Sequence, residues 1–391
     1  TEAVADMAER GLRVLAVAVG ESEDESRLKM LGLVGMADPP RTEAIDAVAK
    51  ARRAGIKTVM ITGDHPITAR AIARELGILT PSDDPDEVVH ARATPDDKIR
   101  IVRGWKERGA IVAMTGDGVN DAPALKEAHI GIAMGRTGTE VAREASAMVL
   151  TDDNFASIIG AVQEGRGIFE NIRKTLVYLL SGNAGELTLV FVASLAGLPL
   201  PLTALQILWI NLVTDGLPAL ALVMDPSDPD ALAKPPRSAG EPILGRREWR
   251  LVLATGALQG VVSLSVFLFA LREGDLLNAR NLAFSTLVFG ELFRSFAARS
   301  STRTFWEMGP FTNVRLVAVV AITALLQIGI HHVPFAQELF DIGDISLRDC
   351  ILSVSLGLVP VTILELSKLV RRALASRSKP GLPSPIGEAR R

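Results

Sequence analysis

The sequence predicts an α/β domain built on a parallel sheet, followed by an all-α bundle of six membrane-spanning helices. Three observations predict this. Over the first 170 residues, short apolar runs alternate with helical patterns, as strands and helices do in α/β folds. After Lys174 the apolar runs lengthen to the roughly 20 residues that cross a bilayer. Within those later runs stand acids and amides, which are costly in lipid and mark function.

In the first half, Leu31–Met36, Ile56–Ile61, Ala110–Met114, Ile130–Ala133 and Ala147–Leu150 read as buried strands. Helical stretches fall at Thr42–Arg53, Pro66–Leu76, Asp96–Arg108 and Ala122–Glu127. The stretch Thr1–Arg27 is charged and amphipathic and has no signal-peptide pattern. Parallel sheets bind ligands at the carboxyl ends of their strands, and the polar motifs fall there. One strand runs into Thr62-Gly63-Asp64, another into Thr115-Gly116-Asp117-Gly118-Val119-Asn120-Asp121. The glycines allow tight turns and close backbone approach to a bound group. Asp117, Asp121 and the Asn120 amide suit a hard cation such as Mg²⁺. Thr62 offers a hydroxyl and backbone N–H groups to an anion, and Lys98 adds a positive charge against a phosphoryl oxygen.

Six candidate spans follow: Leu176–Leu198, Leu202–Met224, Leu251–Leu271, Leu276–Ala298, Leu316–Ala336 and Cys350–Val370. Lys234, Arg237, Arg246, Arg247, Arg299, Arg303, Arg371 and Arg372 all fall on one side of them. The opposite loops carry Glu338, Asp341 and Asp344. The positive-inside rule then puts the catalytic domain and tail in the cytosol. With no targeting signal evident, the cell membrane is the default location. Asn183 and Glu186 share a helical face, Asn211, Thr214 and Asp215 cluster at helical spacing, and Glu291 lies in the fourth span. Gly182, Gly185, Gly216 and Pro218 flank these positions and loosen the helices, freeing carbonyls for a cation. An all-oxygen ligand set favours a hard ion over copper or zinc. Tyr178 and Trp209 read as packing or interface residues, Arg280 and Arg294 as snorkelling cations, and His331 and His332 as a solvated pair. Three carboxylates overcompensate one divalent ion, so proton countertransport is expected.

The single cysteine, Cys350, excludes an internal disulfide. The net charge of −3 gives no argument for a nucleic-acid partner, and none is expected. The tail Ser376–Arg391, rich in Pro, Ser and Arg, reads as disordered.

Met114–Leu125 (MTGDGVNDAPAL) resembles the hinge motif of P-type ATPases. Ile61–Ala69 (ITGDHPITA) resembles that family's second phosphorylation-domain motif, and Asp38–Arg41 (DPPR) its domain-entry segment. The resemblance implies a haloacid-dehalogenase-like, Rossmann-type phosphorylation domain ahead of the membrane helices. It divides the chain into residues 1–30, the end of a nucleotide-binding domain; 31–170, the phosphorylation domain; 171–372, the six spans; and 373–391, a cytosolic tail. It implies that Asp117 binds the catalytic Mg²⁺ and that Asp121 supports that metal site. Thr62, Gly63 and Asn120 contact the phosphoryl group, with Asp64 in the same motif. Lys98 stabilises the phosphoryl charge, and Arg92 lies near the ATP. Asn183, Glu186, Asn211, Thr214, Asp215 and Glu291 match the ligands of sarcoplasmic-reticulum-like calcium pumps, which implies Ca²⁺ as the transported ion. The family's phosphorylated Asp-Lys-Thr-Gly-Thr string does not occur in the sequence, which starts at Thr1. A fragment that depends on a missing N-terminal part of the same pump, and that hydrolyses no ATP alone, is therefore expected. Three alternatives stay open: a pump for sodium and potassium or for manganese, a haloacid-dehalogenase-type phosphatase on a membrane anchor, and a non-catalytic truncated regulator.

Overall fold

The computed structural model describes residues 2–20, 28–36, 39–238 and 240–377. Asp38 of the DPPR segment and residues 378–391 of the tail lie outside them. The chain divides into two units, 1–166 with 228–241, and 167–227 with 242–391.

In the first unit, α1 (Glu2–Glu9) precedes an antiparallel pair, β1 (Arg13–Val19) and β2 (Lys29–Met36). Strand β1 lies within Thr1–Arg27, of which Thr1 and residues 21–27 fall outside the described residues. Strand β2 therefore pairs with β1 and not with the later parallel strands. Then come α2 (Thr42–Arg53), β3 (Met60–Ile61), α3 (Pro66–Glu75), α4 (Pro85–Val88), β4 (Val89–His90) and α5 (Pro95–Glu107). After them follow β5 (Ala113–Gly116), α6 (Ala122–Glu127), β6 (Ile130–Met134), α7 (Glu140–Glu144) and β7 (Met148–Leu150). The expected parallel sheet is present as two short pieces, β3–β4 and β5–β6–β7. The run from Ile56 is strand only at Met60–Ile61.

Local chemistry fixes where the loops point. Helix α5 starts in a reciprocal cap: the Asp97 N–H donates to the Thr94 hydroxyl at 3.3 Å, and the Thr94 N–H donates to the Asp97 carboxylate at 2.9 Å. Pro95 fills the first turn, where its missing N–H costs nothing. That cap sets Lys98 one turn into the helix. Met114, Ala124, Leu125, Ala133 and Val102 form one buried core against which Ile61 packs. The loops after Ile61 and Met114 thus leave from strand ends that share a core.

In the second unit, α8 (Phe155–Leu195, of which the part from Gly167 onward belongs here) is followed by α9 (Ala204–Trp209), a π-helical turn at Ile210–Asp215, and α10 (Gly216–Val223). Then come α11 (Arg246–Leu271), α12 (Leu276–Ala298), α13 (Phe305–Met308), α14 (Val314–Ile330), α15 (Pro334–Phe340) and α16 (Leu347–Arg377). Four of these stretches are long and apolar enough to cross a membrane: Phe155–Leu195, Ala204–Val223, Arg246–Leu271 and Leu347–Leu374. The expected fifth span, Leu316–Ala336, is a correction: α14 ends at Ile330 and α15 leaves at 89°. Pro334, which opens α15, cannot supply the N–H that would carry α14 onward. The fourth candidate is helical over the expected Leu276–Ala298, but with Arg280, Asn281, Glu291 and Arg294 it is too polar to stand with those four. From Asn281 to Leu292 its side chains are buried on every side, and it runs through the core with Phe284, Leu287, Val288 and Leu292 inside. Gly290 and Gly357 let α12 and α16 touch: a β-carbon on Gly357 would stand 2.8 Å from the Gly290 nitrogen. Residues 373–377, expected in the disordered tail, continue α16.

Candidate catalytic loop and intramembrane cation site

The candidate catalytic loop grows from a glycine. A β-carbon on Gly116 would lie 2.5 Å from the Asp121 β-carbon and 2.9 Å from its Oδ2. Only glycine at the end of β5 lets the Asp121 carboxylate fold back over the loop. There Oδ2 accepts from the Asp117 N–H at 3.2 Å and the Gly118 N–H at 3.1 Å, while Oδ1 accepts from Lys98 Nζ at 2.5 Å. Asp121 is buried, 7% exposed. That burial pushes its carboxyl up, but Lys98 and the two loop N–H groups outweigh it and hold it below the usual carboxylate range. Both oxygens of Asp121 are thus engaged within the loop. The expectation that Asp121 ligates a metal becomes one that it shapes the loop, with Lys98 held against it. Asp117 and Asn120 are exposed, and the Asp117 carbonyl accepts from the Thr139 N–H at 2.8 Å.

The Thr62 loop is closed by its own bonds. The Thr62 hydroxyl donates to Asp64 Oδ2 at 2.9 Å, and the Asp64 N–H donates back to that hydroxyl at 3.2 Å. Gly63 is exposed at the tip. The Arg92 N–H donates to the Asp64 carbonyl at 3.0 Å and the Ala93 N–H to the Thr62 carbonyl at 3.0 Å. Arg92 takes a left-handed φ of 51°, a strained setting for arginine. It is a backbone clasp for the Thr62 loop, with its side chain exposed.

The membrane unit brings some of its predicted ligands together and separates others. Glu186, Thr214, Asp215 and Glu291 are buried, the last three 0% exposed. Asp215 and Glu291 converge on Gly182: a β-carbon there would stand 2.7 Å from Asp215 Oδ2 and 2.6 Å from Glu291 Oε2. Glu186, one turn along α8, accepts from Asn211 Nδ2 at 3.2 Å. Glu186 Oε1, Asp215 Oδ2 and Glu291 Oε1 are buried with no hydrogen-bond partner. Asn183 and Asn211 are exposed, so the expectation that Asn183 joins Glu186 is corrected: the two are only about 60° apart round the helix, but the edge of the buried face falls between them. Among the described residues no three His, Cys, Asp or Glu side chains are grouped closely enough to hold a metal by themselves.

Pro218 explains the π turn in part. It has no N–H for the carbonyl four residues back, Thr214. The Tyr178 hydroxyl instead approaches that carbonyl, at 3.4 Å, and Asp215 Oδ1, also at 3.4 Å. π turns recur at functional sites. Tyr178, fully buried, therefore belongs to the cluster itself.

Sequence reasoning misplaced two groups. Arg294 does not snorkel: it is 3% exposed and donates to Glu291 Oε2 at 2.7 Å and to the Tyr178 carbonyl at 2.9 Å. The readable signal was the Glu291–Arg294 spacing of three on one helix. Arg280 does end near a helix start, bound to Asp341 and the Leu200 carbonyl. His331 is not solvated: it is 0% exposed, bonded to Ser285 at 3.1 Å and to the Gly343 carbonyl at 2.9 Å. Only His332 faces solvent.

With this geometry in view, similarity to known proteins fixes the class. Residues 4–129 match the family described as haloacid dehalogenase-like hydrolase, and residues 199–370 match cation transporting ATPase, C-terminus. A hydrolase domain of that kind joined to cation-transport helices defines one class, and the chain belongs to the P-type ATPase family. Within it, the chain is 43% identical to a calcium-transporting ATPase of Bacillus subtilis, over 95% of this chain and 45% of that protein. It is 39% identical to a mouse calcium-transporting ATPase type 2C member 2, over 96% of this chain and 42% of that protein. The chain thus spans about half the length of the curated relatives it matches. It is an integral, multi-pass membrane protein.

Proposed function

We propose that this chain is the part of an ATP-driven calcium pump that holds the phosphoryl-transfer loops and an intramembrane ion site. The observation that carries the reading is the set of buried carboxylate oxygens without partners, contributed by Glu186, Asp215 and Glu291. A buried carboxylate is costly while ionised unless a cation meets it, and oxygen ligands suit Ca²⁺. The names of the relatives point to the same ion.

On the soluble side, Asp117 has an exposed carboxylate at a strand end, and Mg²⁺ characteristically takes one or two carboxylates plus phosphate oxygens. When bound, Mg²⁺ neutralises phosphate charge. The protein's own part is to hold Asp117 and Asn120 outward by pinning Asp121 to Lys98, and to present the Thr62–Gly63 turn to the phosphoryl group. Asp64 holds the Thr62 hydroxyl, and Arg92 clasps the turn through its backbone near the ATP. The nucleophilic aspartate belongs to the length that the relatives have beyond this chain. Residues 1–30 close the nucleotide-binding domain, 31–170 form the phosphorylation domain, 171–372 the membrane domain and 373–391 the tail. The catalytic domain faces the cytosol at the cell membrane, and calcium leaves the cytosol in exchange for protons.

The test uses the full-length pump. Asp215→Asn should remove calcium-stimulated ATPase activity, by about 100-fold or more, while phosphorylation by inorganic phosphate persists, because the loops of the other unit are untouched. Asp117→Asn should abolish both. Wild-type calcium activation in Asp215→Asn, or stimulation by sodium in place of calcium, would sink the ion assignment.

A further inference from the structure

Arg294 stands in the middle of the ion site, and the reading above gives it nothing to do. Its guanidinium lies 4.6 Å from the centre of the Tyr178 ring. One nitrogen donates to the Tyr178 carbonyl and another to Glu291 Oε2. That same oxygen is the one that faces Gly182 beside Asp215 Oδ2. The Arg294 Nε has no hydrogen-bond partner among the described residues, so the group is not consumed by helix packing. The ion pair is buried on both sides, with side chains 4% and 0% exposed. An arginine keeps its charge in any protein setting. A guanidinium this deep is therefore a permanent cation.

The charge count follows. Glu186, Asp215 and Glu291 ionised carry −3, and Arg294 brings the neighbourhood to −2. Among this chain's own groups, Arg294 therefore removes one unit of negative charge. It lessens the surplus negative charge on which the expectation of a proton retained beside the bound ion rested. Protons entering after the ion leaves are unaffected by this count.

We propose that Arg294 is a built-in cation of the intramembrane site, cancelling one carboxylate charge and so lowering the ion valence that the site prefers. The inference rests on the pump reading and names what sets the valence preference of that same site. Arg294 acts through Glu291, and is a positioning and charge-setting residue.

The experiment is equilibrium binding of radioactive calcium to the full-length pump, displaced by either unlabelled calcium or lanthanum. The readout is the potency of lanthanum relative to calcium, which charge moves and packing does not. Arg294→Gln leaves −3 and should raise that ratio at least about tenfold, because an unscreened unit charge at such range outweighs that factor. Arg294→Lys and the double variant Glu291→Gln/Arg294→Gln both keep −2 and should stay near the wild-type ratio. Glu291→Gln alone leaves −1 and should lower it. If Arg294→Gln does not fold, the remaining three variants still decide the matter through the same ladder of charge. A ratio that ignores the ladder overturns the proposal. If the wild type retains manganese but not calcium, the calcium reading falls, and the ladder measured with manganese still decides Arg294.

Discussion

The molecule holds two sites rich in carboxylates, and they are built in opposite ways. At the catalytic loop, Asp121 has each oxygen engaged, one by Lys98 and one by two backbone N–H groups. In the membrane unit, Glu186, Asp215 and Glu291 each keep one buried oxygen without a partner. The loop is a finished network, and finished polar networks hold a shape. The membrane cluster is an unfinished one among the described residues, and on the proposed reading the transported cation completes it. Burial makes that difference expensive: an exposed carboxylate lacking a partner binds water, whereas these are 5% exposed or less. On that reading, structure and cargo are distinguished by where the hydrogen bonds stop.

The strongest way to break this contrast is to spoil the one completed pair in the cluster. Glu291→Leu leaves Arg294 buried and unpaired, and removing one partner of a buried pair costs about 3–5 kcal/mol. The double variant Glu291→Leu/Arg294→Met should recover most of that loss, since no lone charge is left behind. Thermal unfolding in detergent measures both. Equal destabilisation by the single and double variants would mean that the pair holds the helices and is not an electrostatic device.

The finished loop was more legible in sequence than the unfinished cluster. Its residues are contiguous from Met114 to Leu125, and helices Thr42–Arg53 and Ala122–Glu127 have the expected bounds. A strand end and a helix start fix such a loop locally. The cluster instead depends on how α8, the π turn and α12 rotate against each other. Spacing along one helix cannot supply that rotation. Hence the sequence groups Asn183 with Glu186 although Asn183 is exposed, and it puts Arg294 at the interface although α12 continues beyond it to Ala298. His331 escapes the sequence for the same reason: its ring lies inward, against Ser285, just before the break at Pro334. The pairing of Lys98 with Asp121 spans 23 residues, and no local pattern announces it.

A smaller perturbation sharpens the comparison from the loop side. Gly116→Ala sets a β-carbon against Asp121, whereas at Gly118 the nearest atom to a new β-carbon is Asp121 Oδ2 at 3.5 Å, an ordinary contact. Overpacking of the first kind costs about 1–3 kcal/mol. Gly116→Ala should lower the unfolding midpoint and weaken phosphorylation by inorganic phosphate in the full-length pump. Gly118→Ala should do neither to a comparable extent. Similar losses at both positions would show that loop flexibility matters here, and not the space that Asp121 occupies.

The smallest effect concerns a second finished carboxylate, Asp153. Its oxygens accept from the N–H groups of Gly135 at 2.7 Å, Arg136 at 3.0 Å and Thr137 at 2.8 Å, and from the Thr137 hydroxyl at 2.9 Å. The Arg136 N–H leads these in holding the Asp153 carboxyl down at about 2. A carboxyl depressed in the folded state stabilises the fold above its unfolded value, near 3.9. That contribution is lost as pH falls from about 4 towards 2. Asp153→Asn keeps the shape but turns an amide N–H₂ towards donors that need an acceptor, and it cannot titrate. The variant should therefore be less stable than the wild type at pH 6, and the gap between their unfolding midpoints should narrow at pH 3. Asp153 is solvent-accessible, so the gap is modest and shrinks with added salt. A gap that stays constant between pH 6 and pH 3 would mean that the N–H cradle holds the side chain by shape alone, and that its charge contributes nothing to the fold.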